Sequence, residues 1–213
     1  MSNQTQVSAN IVAGLPLRPE ASAIPRTAIQ RIASLRIAQI ASFSALIVVA
    51  TSIARIPLPP PIYEITLAPA FYMAISVIFP RKVSFWSIAL GSAIGEAINL
   101  VITPAPLIYI PGIVWARAPE ALIIYKFREK GVRWITFAMV LGTIYETVAF
   151  LVPDGLFYSY ALFSYGDTAI GLTAGFSTAF FYDIFTLLDL AWIPIALGII
   201  TGVRKAFNIR FFE

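Results

Sequence analysis

The sequence predicts an all-α polytopic membrane protein with six transmembrane helices and both termini in the cytoplasm. Three observations carry that expectation. Of the 213 residues, 59% are hydrophobic and only 12% are charged, against about 25% charged in a soluble domain. The apolar runs are apolar on every side rather than along one stripe, as in helices surrounded by lipid and by one another. Apart from Arg117, Lys and Arg lie in the terminal stretches and the short segments between those runs, a distribution that fits positive-inside anchoring and not a nucleic-acid surface.

A span needs about 20 mostly apolar residues to cross roughly 30 Å of hydrocarbon. The first candidate runs from Ile37 to Ile53 and stops at Arg55, before the Pro-rich stretch Pro57–Pro61. The second, Ile65 to Phe79, is short and ends at Pro80-Arg81-Lys82. The third covers Ser84 to Ile102, and the fourth runs from Ile108 to Tyr125 with Arg117 and Glu120 inside it. The fifth, Trp134 to Val152, is expected to stop at Pro153-Asp154-Gly155. Beyond it, Leu156 to Phe176 is expected to form an aromatic outer loop or cap, and Phe180 to Val203 the sixth span.

Charge sets the count. With six spans, 13 of the 15 basic residues fall on one side: Arg18, Arg26, Arg31, Arg36, Arg81, Lys82, Lys126, Arg128, Lys130, Arg133, Arg204, Lys205 and Arg210. A seventh span would move the last three outside, against the positive-inside bias. The organisation expected is a flexible cytoplasmic tail over 1–30, a six-helix domain over 31–207 and a short cytoplasmic tail over 208–213. The first thirty residues are polar and broken by Pro16, Pro19 and Pro25, unlike a secretory signal.

Composition also excludes chemistry. The chain has no Cys and no His, so thiolate or imidazole metal sites, disulfides and nucleophile–histidine catalysis are not expected. A G-x-x-x-x-G-K-[ST] phosphate loop is absent, as are H-E-x-x-H and G-x-S-x-G. The expectation is a non-enzyme with no cofactor and no metal.

Two kinds of residue stand out within the spans. Small residues four apart, which let membrane helices approach closely, occur as Ala41/Ala45, Ala50/Ala54, Ala70/Ala74, Gly91/Gly95 and Gly198/Gly202. In the first span Ser34, Ala38, Ala41, Ser42 and Ala45 make an extended small face suited to a partner helix. Ionisable groups at membrane depth are costly and tend to mark function. Glu96 and Asn99, three apart, share a helix face. With Glu146, and with Tyr63, Trp115 and Asp183 nearby, they are expected to line an acidic, aromatic outer cavity. Such a cavity suits a cationic or hydrogen-bond-donating ring compound. Arg117 and Glu120, also three apart, are expected to neutralise each other, and Asp189 lies deeper.

This layout resembles the substrate-binding S component of energy-coupling factor (ECF) vitamin transporters over roughly Ser34 to Phe207. The local marks are Ala41-x-x-x-Ala45, the outer loop Ile56-Pro-Leu-Pro-Pro-Pro, and the block from Phe79-Pro-Arg-Lys to Gly91-Ser-Ala-Ile-Gly-Glu96-Ala-Ile-Asn99. Phe79-Pro80 stands where that family usually has a glycine-proline turn. The resemblance implies capture of a micronutrient at the plasma membrane. It also implies as partners a transmembrane coupling subunit, docked on the small face of the first span, and two ATP-hydrolysing subunits. The acidic cavity leans towards thiamine or its pyrimidine precursor. Two other readings stay open on the residues alone: a structural or assembly subunit of a larger membrane complex, and a membrane enzyme.

Overall fold

A computed structural model describes residues 26–57, 64–102, 107–163 and 168–207. The chain divides into two units, Met1–Leu35 and Arg36–Glu213. The described part of the first unit, 26–35, is helical, with the Ser34 hydroxyl donating to the carbonyl of Arg31 at 2.9 Å. The second unit holds the helical core and the cavities described below.

The fold is helical. In chain order come α1 (Arg26–Ser52), α2 (Ala68–Ile78), α3 (Arg81–Ile102), α4 (Tyr109–Phe127), α5 (Val132–Phe163), α6 (Thr168–Asp183), a nine-residue 3₁₀ segment (Ile184–Trp192) and α7 (Ile193–Phe207). Between α1 and α2 a two-stranded antiparallel ribbon pairs β1 (Arg55–Pro57) with β2 (Glu64–Thr66), Ile56 opposite Ile65. The ribbon claims the residues that would otherwise begin the second span, so α2 starts at Ala68. Pro69 stands in its first turn, where the missing N–H has no intrahelical partner to lose.

Among the described residues, four stretches are long and apolar enough to cross a membrane: Gln30–Ser52, Arg81–Val101, Val132–Tyr160 and Gly171–Phe207. The outer surface has the character that lipid requires, with Val49, Trp86, Leu90, Ile94, Val148 and Ile195 all exposed. Helix α2 has 11 residues, nine of them buried, and α4 carries Arg117 and Glu120 inside a helix that runs through Pro119. These two form the interior. Tyr72 and Met73 of α2 pack with Ile47, Ile88, Ile124, Ile135, Met139 and Ile200 in one core cluster.

The small residues read from sequence have identifiable partners at one pair. A Cβ on Gly91 would lie 2.7 Å from Ile47 Cβ, and one on Gly95 would lie 2.8 Å from Thr51 Cβ. Two glycines on α3 therefore bring α1 into close contact. A hydroxyl then reaches across: Ser44 Oγ donates to the Ser87 carbonyl at 3.2 Å, while Ser52 Oγ donates within α1 to the Val48 carbonyl at 2.8 Å and stands 3.4 Å from the Gly95 carbonyl. The opposite face of α1, with Ala38, Ala41, Ser42 and Ala45, is exposed.

One expectation is overturned. Helix α5 does not stop at Pro153; it runs through it to Phe163, and most of the expected outer loop is helical, ending α5 and starting α6. The reason is packing between α5 and α6. A Cβ on Gly155 would collide with the Phe176 ring, and one on Gly175 with Ser159. The two helices thus close on each other through glycines, and that contact outweighs the single hydrogen bond that proline removes. Pro119 is accommodated differently. It has no N–H for the carbonyl of Trp115 one turn earlier, and the Tyr145 hydroxyl of α5 donates to that carbonyl instead, at 3.1 Å.

Candidate functional site

Arg117 and Glu120 lie three apart on α4, which places both on the face turned into the bundle. They do not pair with each other. Arg117 Nε donates to Glu146 Oε1 of α5 at 2.9 Å. The other carboxylate oxygen, Oε2, accepts from the Tyr72 hydroxyl of α2 at 2.8 Å. The same hydroxyl stands 3.4 Å from Asp189 Oδ2, in the 3₁₀ segment. The Arg117 guanidinium also sits over the Tyr72 ring, 5.6 Å from its centroid, within reach of a cation–π attraction. One carboxylate, 0% exposed, thereby ties three helices together with the 3₁₀ segment alongside.

The cluster is short of cations. It holds three carboxyl groups, on Glu120, Glu146 and Asp189, and one guanidinium. Glu120 is 0% exposed, and neither of its oxygens has a hydrogen-bond partner among the described residues. Its chain is pressed against α5, where a Cβ on Gly142 would lie 2.6 Å from Glu120 Cγ. Tyr72 has a single hydroxyl proton, and Glu146 takes it at the shorter distance. Arg117 Nη1 is likewise buried without a partner among the described residues. Unsatisfied ionisable groups at such depth are expensive, so the cluster retains capacity for a further donor.

Above the cluster lies a cavity of about 210 Å³. Arg117, Glu146 and Asp189 form its polar part and Phe150, Tyr182 and Phe185 its aromatic part, with Thr66 of β2 also on the lining. The Thr147 and Thr186 hydroxyls, 2.5 Å apart, join α5 to the 3₁₀ segment beside it.

The residues grouped from sequence are distributed over several places. Glu146 lines this cavity. Glu96 and Asn99 lie on α3, where Asn99 Nδ2 donates to Glu96 Oε2 at 3.4 Å; neither lines the cavity. Trp115 is 62% exposed and faces a separate apolar groove of about 670 Å³ between α4 and α5, with Pro111, Pro153 and Leu156. Asp183 is buried at the end of α6, next to Asp154 of α5. Tyr63 lies outside the described residues. Tyr72 escapes notice in the sequence, because one tyrosine in an apolar run looks like core. The signal that would have found it is the excess of buried acids over cations on the neighbouring helices.

Removing one partner from a buried ion pair strands the other, at a cost of about 3–5 kcal/mol, whereas replacing both with apolar groups is often neutral. Glu146→Leu should therefore lower the melting temperature of the detergent-purified protein sharply. Arg117→Leu combined with Glu146→Leu should recover most of that loss. Additive losses in the double variant would show that the two side chains are not coupled.

Comparisons with family models, with curated proteins and with solved structures found no match for this chain.

Proposed function

We propose that the chain is the substrate-capture subunit of an ECF-type transporter, a multi-pass protein of the plasma membrane that binds a small water-soluble vitamin or precursor from outside. It is not itself an enzyme; a transmembrane coupling subunit and two ATP-hydrolysing subunits supply the energy for uptake. The observation that carries this reading is the polar, aromatic-walled cavity over Arg117, Glu146 and Asp189, set in a bundle whose exterior is apolar.

The chemistry of the cavity narrows the ligand. Two carboxyl groups, on Glu146 and Asp189, against one guanidinium favour a cation or a ring carrying several N–H donors, and Phe150, Tyr182 and Phe185 offer faces for it to stack on. The volume, about 210 Å³, falls below the roughly 300–1,000 Å³ of sites for drug-sized ligands. One small ring suits it better than two, which shifts the lean from thiamine towards its pyrimidine precursor. A thermal-shift screen of the purified protein against water-soluble vitamins and their precursors tests this. A ligand at 100 times its Kd adds about 2.7 kcal/mol to stability, enough for a clear rise in melting temperature. Absence of any shift across the panel would remove the capture reading.

In the six-span topology α6, the 3₁₀ segment and α7 make one broken crossing, and α2 is a short second one. The ribbon, whose Ile65 and Thr66 line the cavity, then faces outside, and both termini lie in the cytoplasm. Cysteine at Lys130 or Phe212 should be shielded from an impermeant thiol reagent applied outside, and cysteine at Pro60 labelled. The chain has no Cys of its own, so the background is clean. Labelling at 212 from outside would mean an odd number of spans.

The exposed small face of α1, with Ala38, Ala41, Ser42 and Ala45, is the docking surface for the coupling subunit in this reading. Leucine at both 41 and 45 should leave the isolated protein folded and ligand-binding but abolish uptake, since close helix approach tolerates no added bulk. Full uptake by the Ala41→Leu, Ala45→Leu double variant would eliminate docking at this face. A second reading, an assembly subunit of a larger complex, draws on the same exposed helix: only 11% of the apolar window in Gln30–Ser52 is buried. It would be favoured if the chain were stable only within such a complex and bound nothing alone.

A further inference from the structure

At the bundle end opposite the ribbon, the first turns of α3 lie beside the last turns of α4. Two hollows of about 310 Å³ each open there. One is lined by Arg81, Lys82, Phe85, Trp86 and Leu122, the other by Arg81, Leu122, Tyr125 and Lys126. Arg81 and Leu122 belong to both, so the two make one continuous groove. Three cations line it and no acid does.

Among the described residues, no carboxylate lies within the 4.0 Å of an ion pair from Arg81, Lys82 or Lys126. Their neighbours are occupied. Arg128 sits over the Tyr125 ring, 4.4 Å from its centroid, and reaches the Phe79 carbonyl and Glu129. Lys130 lies over Phe127 and Trp134, at 5.1 and 5.7 Å. The N-terminus of α3, a 22-residue helix, adds the partial positive charge of its dipole to the same place.

A second feature says what kind of anion the groove takes. From its floor an apolar stripe runs up the outside of α3: Trp86, Leu90, Ile94 and Ile98, four residues apart and all exposed. A soluble anion has no use for that stripe, whereas a lipid places its phosphate among the cations and its acyl chains along the stripe. Trp86, half exposed where charge gives way to apolar surface, has the amphipathic character of a side chain at the headgroup level.

We propose that Arg81, Lys82 and Lys126 form a binding site for the headgroup of an anionic phospholipid, with its acyl chains on the Trp86–Ile98 stripe. The site is independent of the substrate and stands or falls separately from the transport reading.

Native mass spectrometry of the delipidated protein, titrated with phosphatidylglycerol and with phosphatidylcholine, tests it. The unaltered chain should prefer phosphatidylglycerol by at least about tenfold, given roughly 1 kcal/mol per basic residue near an anionic surface. The Arg81→Gln, Lys82→Gln, Lys126→Gln variant should lose that preference. Arg81→Gln alone, at the residue common to both hollows, should lose the largest single share. All three side chains lie at the surface, so melting temperatures in phosphatidylcholine should be unchanged. The control removes the same charge elsewhere, through Arg36→Gln, Arg133→Gln and Lys205→Gln, and should retain the preference. Equal loss in the control would mean diffuse electrostatic attraction and overturn the site. Displacement of the bound lipid by inorganic phosphate at millimolar concentration would make it a soluble-anion site and overturn the lipid assignment.

Discussion

A single buried carboxylate organises the interior of this protein. Lipid gives helices no hydrophobic reason to associate, because the surrounding chains are as apolar as the side chains. Two forces are left, close packing and the need to satisfy polar groups away from water. Glu146 cannot be left alone at its depth, and its two oxygens accept from Arg117 on α4 and Tyr72 on α2. Tyr72 also brings Asp189 within 3.4 Å. Helix α2, too short to be placed by its own length, is placed by that hydroxyl and by the apolar residues around it. The cavity follows from the same arrangement, since three elements meeting around polar side chains cannot close over them as leucines would.

Where the carboxylate does not reach, small residues do the positioning. Gly91 and Gly95 bring α3 against α1, and Gly155 and Gly175 bring α5 against α6. Each contact needs the absence of a Cβ, and at the α1–α3 contact the Ser44 hydroxyl bridges to the Ser87 carbonyl once the helices are close. Helix α1 consequently has two unlike faces. Ser44, Ile47, Ala50 and Thr51 are buried, and Ala38, Ala41, Ser42 and Ala45 are bare.

Much of the helical layout was legible in the sequence, because length and uniform hydrophobicity report directly on burial in lipid. The end of α1, the extent of α3 and the limits of α4 lie within a few residues of the expected spans. Proline misleads at Pro153, which reads as a stop and is not one. Local chemistry disfavours helix there, but the glycine contact with α6 decides, and that contact lies between residues about twenty apart in sequence. The site was legible only in part for a related reason. Spacing can place Arg117 and Glu120 on one face; it cannot reveal that the guanidinium turns to another helix, 29 residues on. Tyr72 and Glu146 are 74 residues apart, and Tyr72 and Asp189 are 117 apart. Partners at such separations are set by how the helices assemble, and no periodicity records that.

The 3₁₀ segment joining α6 to α7 stores length. A 3₁₀ helix rises about 2.0 Å per residue and an α-helix about 1.5 Å. Over the nine residues Ile184–Trp192, rewinding to α would draw α6 and α7 together by roughly 4.5 Å and unwind the segment by about half a turn. None of those nine residues is fully buried; Leu190 against the core and the Thr186 hydroxyl against Thr147 are what hold the segment in place. Asp189 would be carried around the helix axis as the segment rewound, away from the Tyr72 hydroxyl. The aromatic wall, Phe185 included, would turn with it. The acid and the ring that frame the cavity therefore sit on a stretch, between two α-helices, whose pitch differs from theirs.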